Sequence, residues 1–459
     1  MILKRFYDNS LAQASYLVGC PGAGEAVIID PNRDIDQYIE AAANEGLRIA
    51  AVTETHIHAD YLSGSRELAL RTGAQLYLSD EGDADWKYAF AKESGAMLVR
   101  DGDHFRIGAL RFDVARTPGH TPEHIAFVLT DEAAAPEPAM VFTGDFVFVG
   151  EVGRPDLLEN AAGIKGTMEP GARDLFRSIQ RFKKEPDYVL LWPAHGAGSA
   201  CGKSLGGVPV TTVGFEKRTN WAFKASTEDS FVREVLSGQP EPPKYFAMMK
   251  RLNKIGPPLR RGGALARLGQ APARAILVDV RSSSDFARGH VPGSLLIPMY
   301  NSFTTTAGWL LPYDRDIVLL ANAEEDAIEA VRRLALIGLD RASGWVGPEV
   351  IPPNAESYVE SSFAAGIPKD ALVLDVRSQN EWDEGHVPGA THIPLGYLED
   401  RVSELPHDRT IAVHCAGGGR SPTAASVLQR AGIKNVIDLN DGFDVYPQLE
   451  NPAAHATMS

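Results

Sequence analysis

The sequence is poor in cysteine and contains no long apolar run. Its 459 residues include three cysteines, Cys20, Cys201 and Cys415, at widely separated positions. So sparse and odd a number argues against a disulfide framework and suits free thiols in a reducing compartment. No segment approaches the roughly 18 consecutive apolar residues of a membrane span, and the N-terminal segment lacks the apolar core of a secretory signal. We therefore expect a cytoplasmic protein that does not enter a membrane.

Basic residues are outnumbered, at 45 against 60 acidic residues, which gives a net charge of −15. This balance disfavours proteins built to grip nucleic acid or an anionic membrane surface. The hydrophobic content of 44% is that of an ordinary globular protein. Since a chain of this length exceeds what one hydrophobic core organises, we expect about three domains.

An internal repeat organises the C-terminal part of the chain. The segment ILVDVRSSSDFARGHVPGSLLIPM begins at Ile276, and LVLDVRSQNEWDEGHVPGATHIPL begins at Leu372, 96 residues later. A second apolar strand pattern and a helical pattern follow each segment. Strands that alternate with amphipathic helices predict two small α/β domains with parallel sheets. We place these domains at residues 263–352 and 356–459.

The first 250 residues contain many short strand patterns and fewer helical ones. Strand-like runs include AVIID, IAAVTE, RFDVAR, HIAFVL, AMVFTGD and YVLLWPA, and helical stretches begin near Ile35 and Gly171. This pattern predicts a sheet-rich αββα sandwich over residues 1–250. The Pro- and Gly-rich stretch KIGPPLRRGG near Lys254 is a linker candidate, and GPEVIPP marks the second domain boundary.

Potential metal ligands stand where several of these strands end. The segments THIHADY, TPGHTPEH, FTGD and WPAHG supply His56, His58, Asp60, Tyr61, His120, His124, Asp145 and His195. Histidines two residues apart can converge on one ion from an extended segment, whereas on a helix they would diverge. Several ligand types at strand-to-loop transitions therefore indicate a metal site, with His124 interpreted as structural.

The HxHxD, TPGHT, FTGD and AHG segments together resemble the metallo-β-lactamase superfamily over about residues 1–250. Its hydrolytic members, such as glyoxalase II, have HxHxDH and bind two metals, whereas Tyr61 stands at the final histidine here. Phenol oxygen is a poorer zinc ligand than imidazole nitrogen, so the second metal site is weakened. The longer strings TETHIHADYLSG, TPGHTPEHIAF, FTGDFVFVGEVGRPDL and PAHGAGSACGKSLG resemble the persulfide dioxygenase branch.

That resemblance implies one Fe(II) per chain, held by His56, His120 and Asp145. Two imidazoles and one carboxylate on one face leave room on ferrous iron for a persulfide and for O2. The implied reaction converts a low-molecular-weight thiol persulfide, of the glutathione or coenzyme A type, into sulfite and the thiol. The resemblance implies that four further residues either support the ligands from behind or are remnants of a second metal site. They are His58, Asp60, Tyr61 and His195. Dioxygenases of this fold are often dimers or tetramers, so the resemblance is also compatible with a homo-oligomer.

Two further candidates follow His195 in a Gly- and Ser-rich loop. Cys201 either touches substrate or relays sulfur, or it fills a tight loop as a small residue, and both interpretations stay open. Lys203 is a candidate to hold a carboxylate of the thiol carrier. Cys20 is interpreted as structural.

The second repeat contains the segment HCAGGGRS. An apolar strand leads to Cys415, three glycines precede Arg420, and a helix follows that Ser421 is expected to cap and Pro422 to begin. The N–H groups of such a loop and helix start stabilise a thiolate. Together with the DVR and GHVPGA blocks, this motif resembles a rhodanese domain. Cysteine-dependent phosphatases have one residue more between cysteine and arginine than this loop has.

Cys415 is therefore predicted to carry sulfane sulfur, with Arg420 steadying the anion and with thiosulfate and sulfite as small-molecule partners. In the first repeat, Ala321 stands at the Cys415 position and acidic residues follow it, so that copy is predicted to be degenerate. Blocks shared by both copies are interpreted as structural, namely Asp279, Arg281, His290, Asp375, Arg377 and His386.

Two other functions remain open at this point. A binuclear zinc thioester hydrolase of the glyoxalase II type is supported by Asp60 and His195, and opposed by Tyr61 and the fused rhodanese motif. A non-catalytic sulfur carrier or scaffold would load Cys415 alone and use its metal structurally. Structural metals are usually fully ligated by protein, which favours a catalytic centre here.

Overall fold

The chain folds into two compact units. They are Met1–Arg261 with Ala335–Gly338, and Gly262–Leu334 with Leu339–Ser459. The structure is a computed structural model that describes residues 1–160, 166–203, 205–260 and 263–446. The predicted linker near Lys254 includes residues 261–262, which lie outside the described residues. Among the described helices, none is both long enough and apolar enough to cross a membrane.

The first unit contains two six-stranded sheets. In the first sheet the strands follow chain order, with β1 to β3 antiparallel and β3 to β6 parallel. Its elements are β1 (Ile2–Asp8), β2 (Gln13–Cys20), β3 (Glu25–Ile29), α1 (Asp36–Asn44), β4 (Arg48–Thr53), α2 (Ser65–Thr72), β5 (Gln75–Ser79) and β6 (Met97–Val99).

The second sheet has the strand order β12-β11-β10-β9-β8-β7 and is antiparallel except for the β10–β11 pair. Its strands are β7 (His104–Ile107), β8 (Leu110–Arg116), β9 (Ile125–Asp131), β10 (Met140–Gly144), β11 (Leu190–Pro193) and β12 (Thr211–Thr212). The helices are α3 (Leu157–Asn160), α4 (Met168–Phe182), α5 (Val213–Thr219), α6 (Trp221–Lys224), α7 (Glu228–Leu236) and α8 (Phe246–Ile255).

Side-chain alternation along the strands builds a four-layer sandwich. Tyr16 and Val18 of β2 pack against Phe112 and Phe127 of the second sheet, which forms the core between the sheets. The intervening Leu17 faces the opposite way, toward the layer of α1 and α2. On the far side, apolar residues of α4 at helical spacing cover the second sheet. The predicted αββα sandwich is therefore confirmed, and its loops at one rim present the predicted ligands.

The second unit contains both repeats, each with a parallel sheet. The first repeat has the order β14-β13-β15-β16 and the second has β17-β21-β20-β18-β19. The first comprises β13 (Ile276–Asp279), α9 (Ser283–Arg288), β14 (Leu295–Leu296), α10 (Phe303–Leu310), β15 (Ile317–Leu320), α11 (Glu324–Leu336) and β16 (Ala342–Val346). The second comprises β17 (Val359–Ser361), β18 (Leu372–Asp375), α12 (Gln379–Glu384), β19 (Thr391–His392), α13 (Leu395–Arg401), β20 (Ile411–His414), α14 (Ser421–Arg430) and β21 (Val436–Leu439). The predicted α/β architecture with parallel sheets is confirmed.

The shared Asp-Val-Arg blocks make the same contacts in both repeats. Arg281 donates to Asp279 at 2.6 Å, and Arg377 donates to Asp375 at 2.7 Å. Each guanidinium also donates to a backbone carbonyl eight residues further along the chain. In each Gly-His block the histidine ring stacks at 3.7 Å on an aromatic ring four residues earlier. These contacts tie strand to loop within each repeat and agree with a structural role for the blocks.

Candidate functional site

Three buried side chains from three strand ends converge in the first unit. His56 follows β4, His120 follows β8 and Asp145 follows β10 directly. The Nε2 atoms of His56 and His120 lie 3.9 Å and 3.5 Å from Asp145 Oδ2. One ligand atom from each residue lies within 4.8 Å of the other two. The structure thus brings together the three residues that the sequence motifs singled out as iron ligands.

Hydrogen bonds behind the two histidines fix which ring nitrogen faces the centre. His56 Nδ1 donates to Thr55 Oγ1 at 3.0 Å, and this hydroxyl donates to Asp30 at 2.9 Å. His120 Nδ1 donates to the backbone carbonyl of Arg154 at 3.0 Å. A ring whose Nδ1 carries the proton leaves the Nε2 lone pair free for a metal. Asp30 has a left-handed φ of 52°, uncommon outside glycine, which marks it as a strained positioning residue.

The donor set fits a divalent transition metal. His56 Nε2 and both carboxylate oxygens of Asp145 are buried without any hydrogen-bond partner. Burial lowers the pKa of His120 to about 4 and that of His56 well below its usual value, so both imidazoles are neutral. Burial raises the pKa of Asp145 to about 6. Buried polar atoms without partners are costly, and a cation bound here would satisfy His56 Nε2 and the Asp145 oxygen that faces it.

A second cluster adjoins the first and consists of Asp60, His195 and Cys201, whose ligand atoms also lie within 4.8 Å of one another. His195 Nε2 is 3.3 Å from Asp60 Oδ2 and 3.4 Å from Asp145 Oδ1. Asp145 therefore presents one oxygen to each cluster. Burial, together with the charges of Asp60 and Asp145, raises the pKa of the Cys201 thiol well above its usual value. Cys201 is therefore buried within the second cluster, next to the predicted iron ligand Asp145.

Asp30 contacts His58 and Tyr61, two other residues of the THIHADY segment. His58 Nε2 lies 3.2 Å from Asp30 Oδ1, and the Tyr61 hydroxyl donates to the Asp30 carbonyl at 3.1 Å. Burial by itself would lower the pKa of His58, but the Asp30 carboxylate outweighs it and raises this pKa to about 9. His58 thus belongs to neither cluster, and the Tyr61 hydroxyl is bound to the Asp30 carbonyl. His58 is held by Asp30 as a charged partner.

Two other predicted residues are placed by neighbouring elements. His124 Nε2 accepts the backbone N–H of Asp145 at 3.1 Å, which agrees with its interpretation as structural. The Lys203 ammonium donates to the backbone carbonyl of Glu234 on α7 at 2.5 Å. That contact places Lys203 against α7, and its role in holding a thiol carrier stays a prediction.

The motif analysis did not single out Arg154, which ties the two clusters together. Its guanidinium is fully buried and donates to both oxygens of Asp156 at 2.8 Å and 2.6 Å. A third bond reaches the carbonyl of Ala200 at 3.1 Å, in the loop that presents Cys201. The Arg154 carbonyl in turn orients His120. Arg154 therefore joins the loop behind one cluster to a ligand of the other.

We expect Arg154→Ala to destabilise the first unit by about 3–5 kcal/mol, because it removes one partner of a buried ion pair. Arg111→Ala is the matched control, since Arg111 pairs with Asp113 at the same spacing of two residues on a half-exposed strand. That change is expected to cost about 0–1 kcal/mol. Urea unfolding of the full-length variants measures both values, and equal losses would contradict the proposed importance of burial.

The predicted sulfur-transfer loop follows β20 in the second unit. Cys415 is buried, and the backbone N–H of Arg420 donates to its Sγ at 3.2 Å. Gly418 has a φ of 78°, and a Cβ there would lie 2.0 Å from the carbonyl oxygen of Asn440. Only glycine allows the loop this close to the chain after β21, so the loop is held tightly around the sulfur.

The prediction that Ser421 caps the helix is wrong by one residue. The N-cap of α14 is Arg420, which already has helical backbone angles and makes no side-chain cap. The backbone N–H of Arg420 donates to the Cys415 sulfur, and Ser421 is the first residue of α14. The Ser421 hydroxyl lies 3.7 Å from Cys415 Sγ. It therefore faces the nucleophile and not the backbone N–H groups of α14.

Glu381 holds the Arg420 guanidinium, a partner that the motif analysis did not find. Arg420 donates to the two oxygens of Glu381 at 2.7 Å and 2.5 Å. Glu381 also closes a capping box with Ser378 at the start of α12. The Ser-x-x-Glu spacing was the only local signal for this residue. Because helix and ion pair both restrain Glu381, it fixes the position of Arg420 beside the sulfur.

We expect Glu381→Gln to raise the KM for thiosulfate about tenfold, because Arg420 loses the partner that orients it. The rate of Cys415 alkylation should change little.

Burial alone would raise the pKa of Glu381, but Arg420 and Ser378 outweigh it and lower it to about 2. A carboxyl whose pKa is lowered by folding stabilises the folded state at any pH above its ordinary pKa of 4.5. The wild type should therefore lose its stability advantage over Glu381→Gln as the pH falls from 4.5 to 2. Glu404→Gln, which removes the surface pair with Arg401, is the control for KM.

The first repeat has no equivalent loop. Ala321 follows β15 where Cys415 follows β20, and α11 begins at Glu324, only three residues later. In the second repeat α14 begins six residues after the cysteine. One additional helical turn thus occupies the space that the loop takes in the second repeat. This arrangement agrees with the prediction that the first copy is degenerate.

Family models match segments of both units. Residues 9–195 match the Metallo-beta-lactamase superfamily, and residues 264–346 and 361–448 match the Rhodanese-like domain. A "Probable metallo-hydrolase" of Burkholderia pseudomallei (strain 1710b) is 31% identical over 262 residues, which cover 50% of this chain and 84% of the relative. "Persulfide dioxygenase ETHE1, mitochondrial" of Bos taurus is 29% identical over 234 residues, covering 50% of this chain and 78% of that protein.

A solved structure matches most of this chain. The crystal structure of a metallo-beta-lactamase from Staphylococcus aureus subsp. aureus COL is 42% identical and aligns with a TM-score of 0.70. It covers 76% of this chain and 99% of its own length. Fold, ligand-bearing strand ends and these matches agree, and the chain therefore belongs to the metallo-β-lactamase superfamily and carries two rhodanese-like domains after its N-terminal domain.

Proposed function

We propose that this chain is a non-haem Fe(II) persulfide dioxygenase coupled to sulfur transfer through Cys415, built from domains at residues 1–250, 263–352 and 356–459. The observation that supports it best is the convergence of two imidazoles and one carboxylate with buried atoms that lack partners. The likeness to proteins named persulfide dioxygenase, 28–29% identical over 234–239 residues, supports the same reaction. The overall conversion is R–S–S⁻ + O2 + H2O → R–SH + SO3²⁻ + H⁺.

The residues of the first unit orient the centre and exclude water from it. Thr55 and the Arg154 carbonyl hold the two imidazole rings, so His56 and His120 present Nε2 without rearrangement. Bound by this set, iron(II) would supply the one-electron chemistry that lets O2 react with a closed-shell persulfide. The ligands are nearly fully buried, which limits side reactions with bulk water. Cys201 lies beside Asp145, close enough to contact a substrate sulfur there.

The second rhodanese domain would handle the sulfur that the first unit does not oxidise. The Arg420 N–H and the glycine loop stabilise an anionic sulfur on Cys415. A persulfide there can pass its outer sulfur to sulfite and so form thiosulfate, or it can accept sulfur from thiosulfate in the reverse direction. Cytosolic thiols suit this chemistry, and Cys20, Cys201 and Cys415 are all free.

A second candidate function rests on the cluster of Asp60, His195 and Cys201. With Asp145 between the two clusters, six side-chain ligands could hold two zinc ions in a thioester hydrolase. The position of Tyr61 and His58 against Asp30 speaks against this candidate, because both are turned to a different partner.

Metal analysis of the anaerobically purified full chain separates the candidates. We expect one iron per chain and O2 uptake with glutathione persulfide or coenzyme A persulfide, and the faster substrate identifies the thiol carrier. Two zinc ions per chain, with thioester hydrolysis and no O2 uptake, would instead establish the hydrolase. Sulfur transfer that survives complete metal removal, without either activity, would indicate a sulfur carrier.

A further inference from the structure

A buried serine and a buried aspartate lie behind the predicted sulfur carrier. Ser421 is fully buried in the first turn of α14, and its hydroxyl lies 3.7 Å from Cys415 Sγ. The N-cap of α14 is Arg420, which makes no side-chain cap, so the Ser421 hydroxyl is not used as a helix cap. A buried hydroxyl that does not serve the backbone, and that contacts a nucleophile, is available to pass a proton.

Asp438 lies in β21, directly beside Val413 of β20, two residues before the cysteine. It is fully buried, and neither carboxylate oxygen has a hydrogen-bond partner of normal geometry. Nevertheless the Ser421 hydroxyl is close enough to lower the pKa of this carboxyl. A buried carboxylate with no cation of its own is held at a large cost unless it can take up a proton.

The charged groups around Asp438 favour its protonated form. Burial, together with the charge of Glu360 on the neighbouring strand β17, raises the pKa of Asp438 to about 7. Tyr358, just before β17, also lies near Asp438, since burial and then the Asp438 charge raise its pKa. Arg420, at the start of α14, is already bound by Glu381. Protonation of Asp438 therefore removes the repulsion between its carboxylate and an anionic sulfur on Cys415.

The first repeat is an internal control for this arrangement. Ala321 replaces the cysteine, and α11 begins with Glu324 where α14 begins with Ser421. In strand register, Trp345 lies beside Leu319 as Asp438 lies beside Val413. All three groups are thus absent together, whereas the structural Asp-Arg pairs occur in both repeats. Loss of serine and aspartate with the cysteine indicates that they serve its chemistry and not the fold.

We propose that Asp438 is the proton acceptor and donor for the Cys415 thiol, with Ser421 passing the proton between them. The proposal rests on the proposed sulfur transfer through Cys415. In loading, the Cys415 S–H proton moves to Ser421 Oγ while the Ser421 proton moves to the Asp438 carboxylate. The resulting thiolate attacks the sulfane sulfur of thiosulfate, the S–S bond of thiosulfate breaks, and sulfite leaves with the electron pair. The persulfide anion then sits opposite a neutral carboxyl.

Return of the sulfur reverses the sequence. Sulfite attacks the outer sulfur of the Cys415 persulfide, thiosulfate forms, and the thiolate can recover its proton from Asp438 through Ser421. The pair therefore shares one proton over the range between its two apparent ionisations, and these belong to the pair rather than to either group. Removal of either Ser421 or Asp438 should leave Cys415 with a single ionisation.

The test uses the full chain loaded with sodium thiosulfate and followed by infrared difference spectroscopy. We expect a protonated carboxyl C=O band that changes on loading in the wild type and is missing in Asp438→Asn. Sulfur transfer should fall about 10²-fold in Asp438→Asn, the size of a typical general acid–base contribution, and also in Ser421→Ala. Asp408→Asn, at an exposed position of the same domain, should change neither measurement.

Peptide-resolved alkylation of Cys415 by iodoacetamide across pH provides the second readout. We expect two ionisations in the wild type and one in either variant. Unchanged alkylation profiles, or full transfer rates in a folded Asp438→Asn protein, would overturn the proton exchange even if Cys415 loads normally. If the wild type takes no sulfur from thiosulfate, the proposed sulfur transfer fails, while the alkylation profile still decides whether Asp438 and Cys415 exchange a proton. Ser421→Ala decides the question should Asp438→Asn not fold.

Discussion

The His120→Ala variant is expected to lose its iron and to consume O2 at least about a hundredfold more slowly than the wild type with a thiol persulfide. His120 supplies one of three ligand atoms, and its Nδ1 is already used by the Arg154 carbonyl. Alanine leaves one imidazole and one carboxylate, too few to hold iron in a buried centre with open positions. Iron content by mass spectrometry and O2 uptake with an oxygen electrode measure the two effects.

His104→Ala is the matched control, because His104 is an exposed histidine on β7 of the same unit. It should keep both iron and O2 uptake. Cys415 alkylation and sulfur transfer should be normal in both variants, since the sulfur-transfer loop uses none of the first unit's ligands. A His120→Ala protein that retained iron and consumed O2 at the wild-type rate would show that the ligand set is wrong.

Cys415→Ser should abolish sulfur transfer from thiosulfate and leave O2 uptake unchanged. A serine hydroxyl in that loop remains protonated and cannot form the persulfide, whereas the thiolate is stabilised by the Arg420 N–H. The two proposed sites lie in separate domains, each with its own buried core. Thiosulfate formation from sulfite, assayed alongside O2 uptake on the same preparation, therefore separates them.

Cys20→Ser controls for the general effect of removing a thiol, because Cys20 packs at the edge of the first unit's core. Both activities should be retained in that variant. Sulfur transfer that persisted in Cys415→Ser but disappeared in Cys201→Ser would contradict the proposal, since it would assign the sulfur carrier to the first unit.

Local sequence patterns predicted the architecture well because they record what each segment needs by itself. Short apolar runs ending in Gly- or Pro-containing turns became β4, β8, β10 and β11, with His56, His120, Asp145 and His195 at their ends. The repeat predicted two parallel α/β domains, and the missing cysteine at Ala321 corresponds to a missing loop. In each case the signal lies within about ten residues, where strand alternation, turn chemistry and helix starts act.

What the sequence patterns missed are partners that come from distant segments. Asp30 is 25 residues before the Thr55 that it holds, and Glu381 is 39 residues before Arg420. Ser421 was assigned to the helix cap by local rules, which could not foresee that the Arg420 N–H binds sulfur. The α7 partner of Lys203, the Glu234 carbonyl, is likewise 31 residues away.

The sequence by itself determined the chemistry available to this protein, because ligand type, nucleophile and glycine loop are properties of the residues. Only the tertiary structure decided how that chemistry is divided. Asp145 directs one oxygen to each of two clusters, while Asp30 turns His58 and Tyr61 away from both. Such choices depend on which buried polar group finds a partner once the strands have packed, and burial makes an unsatisfied group too costly to leave to chance.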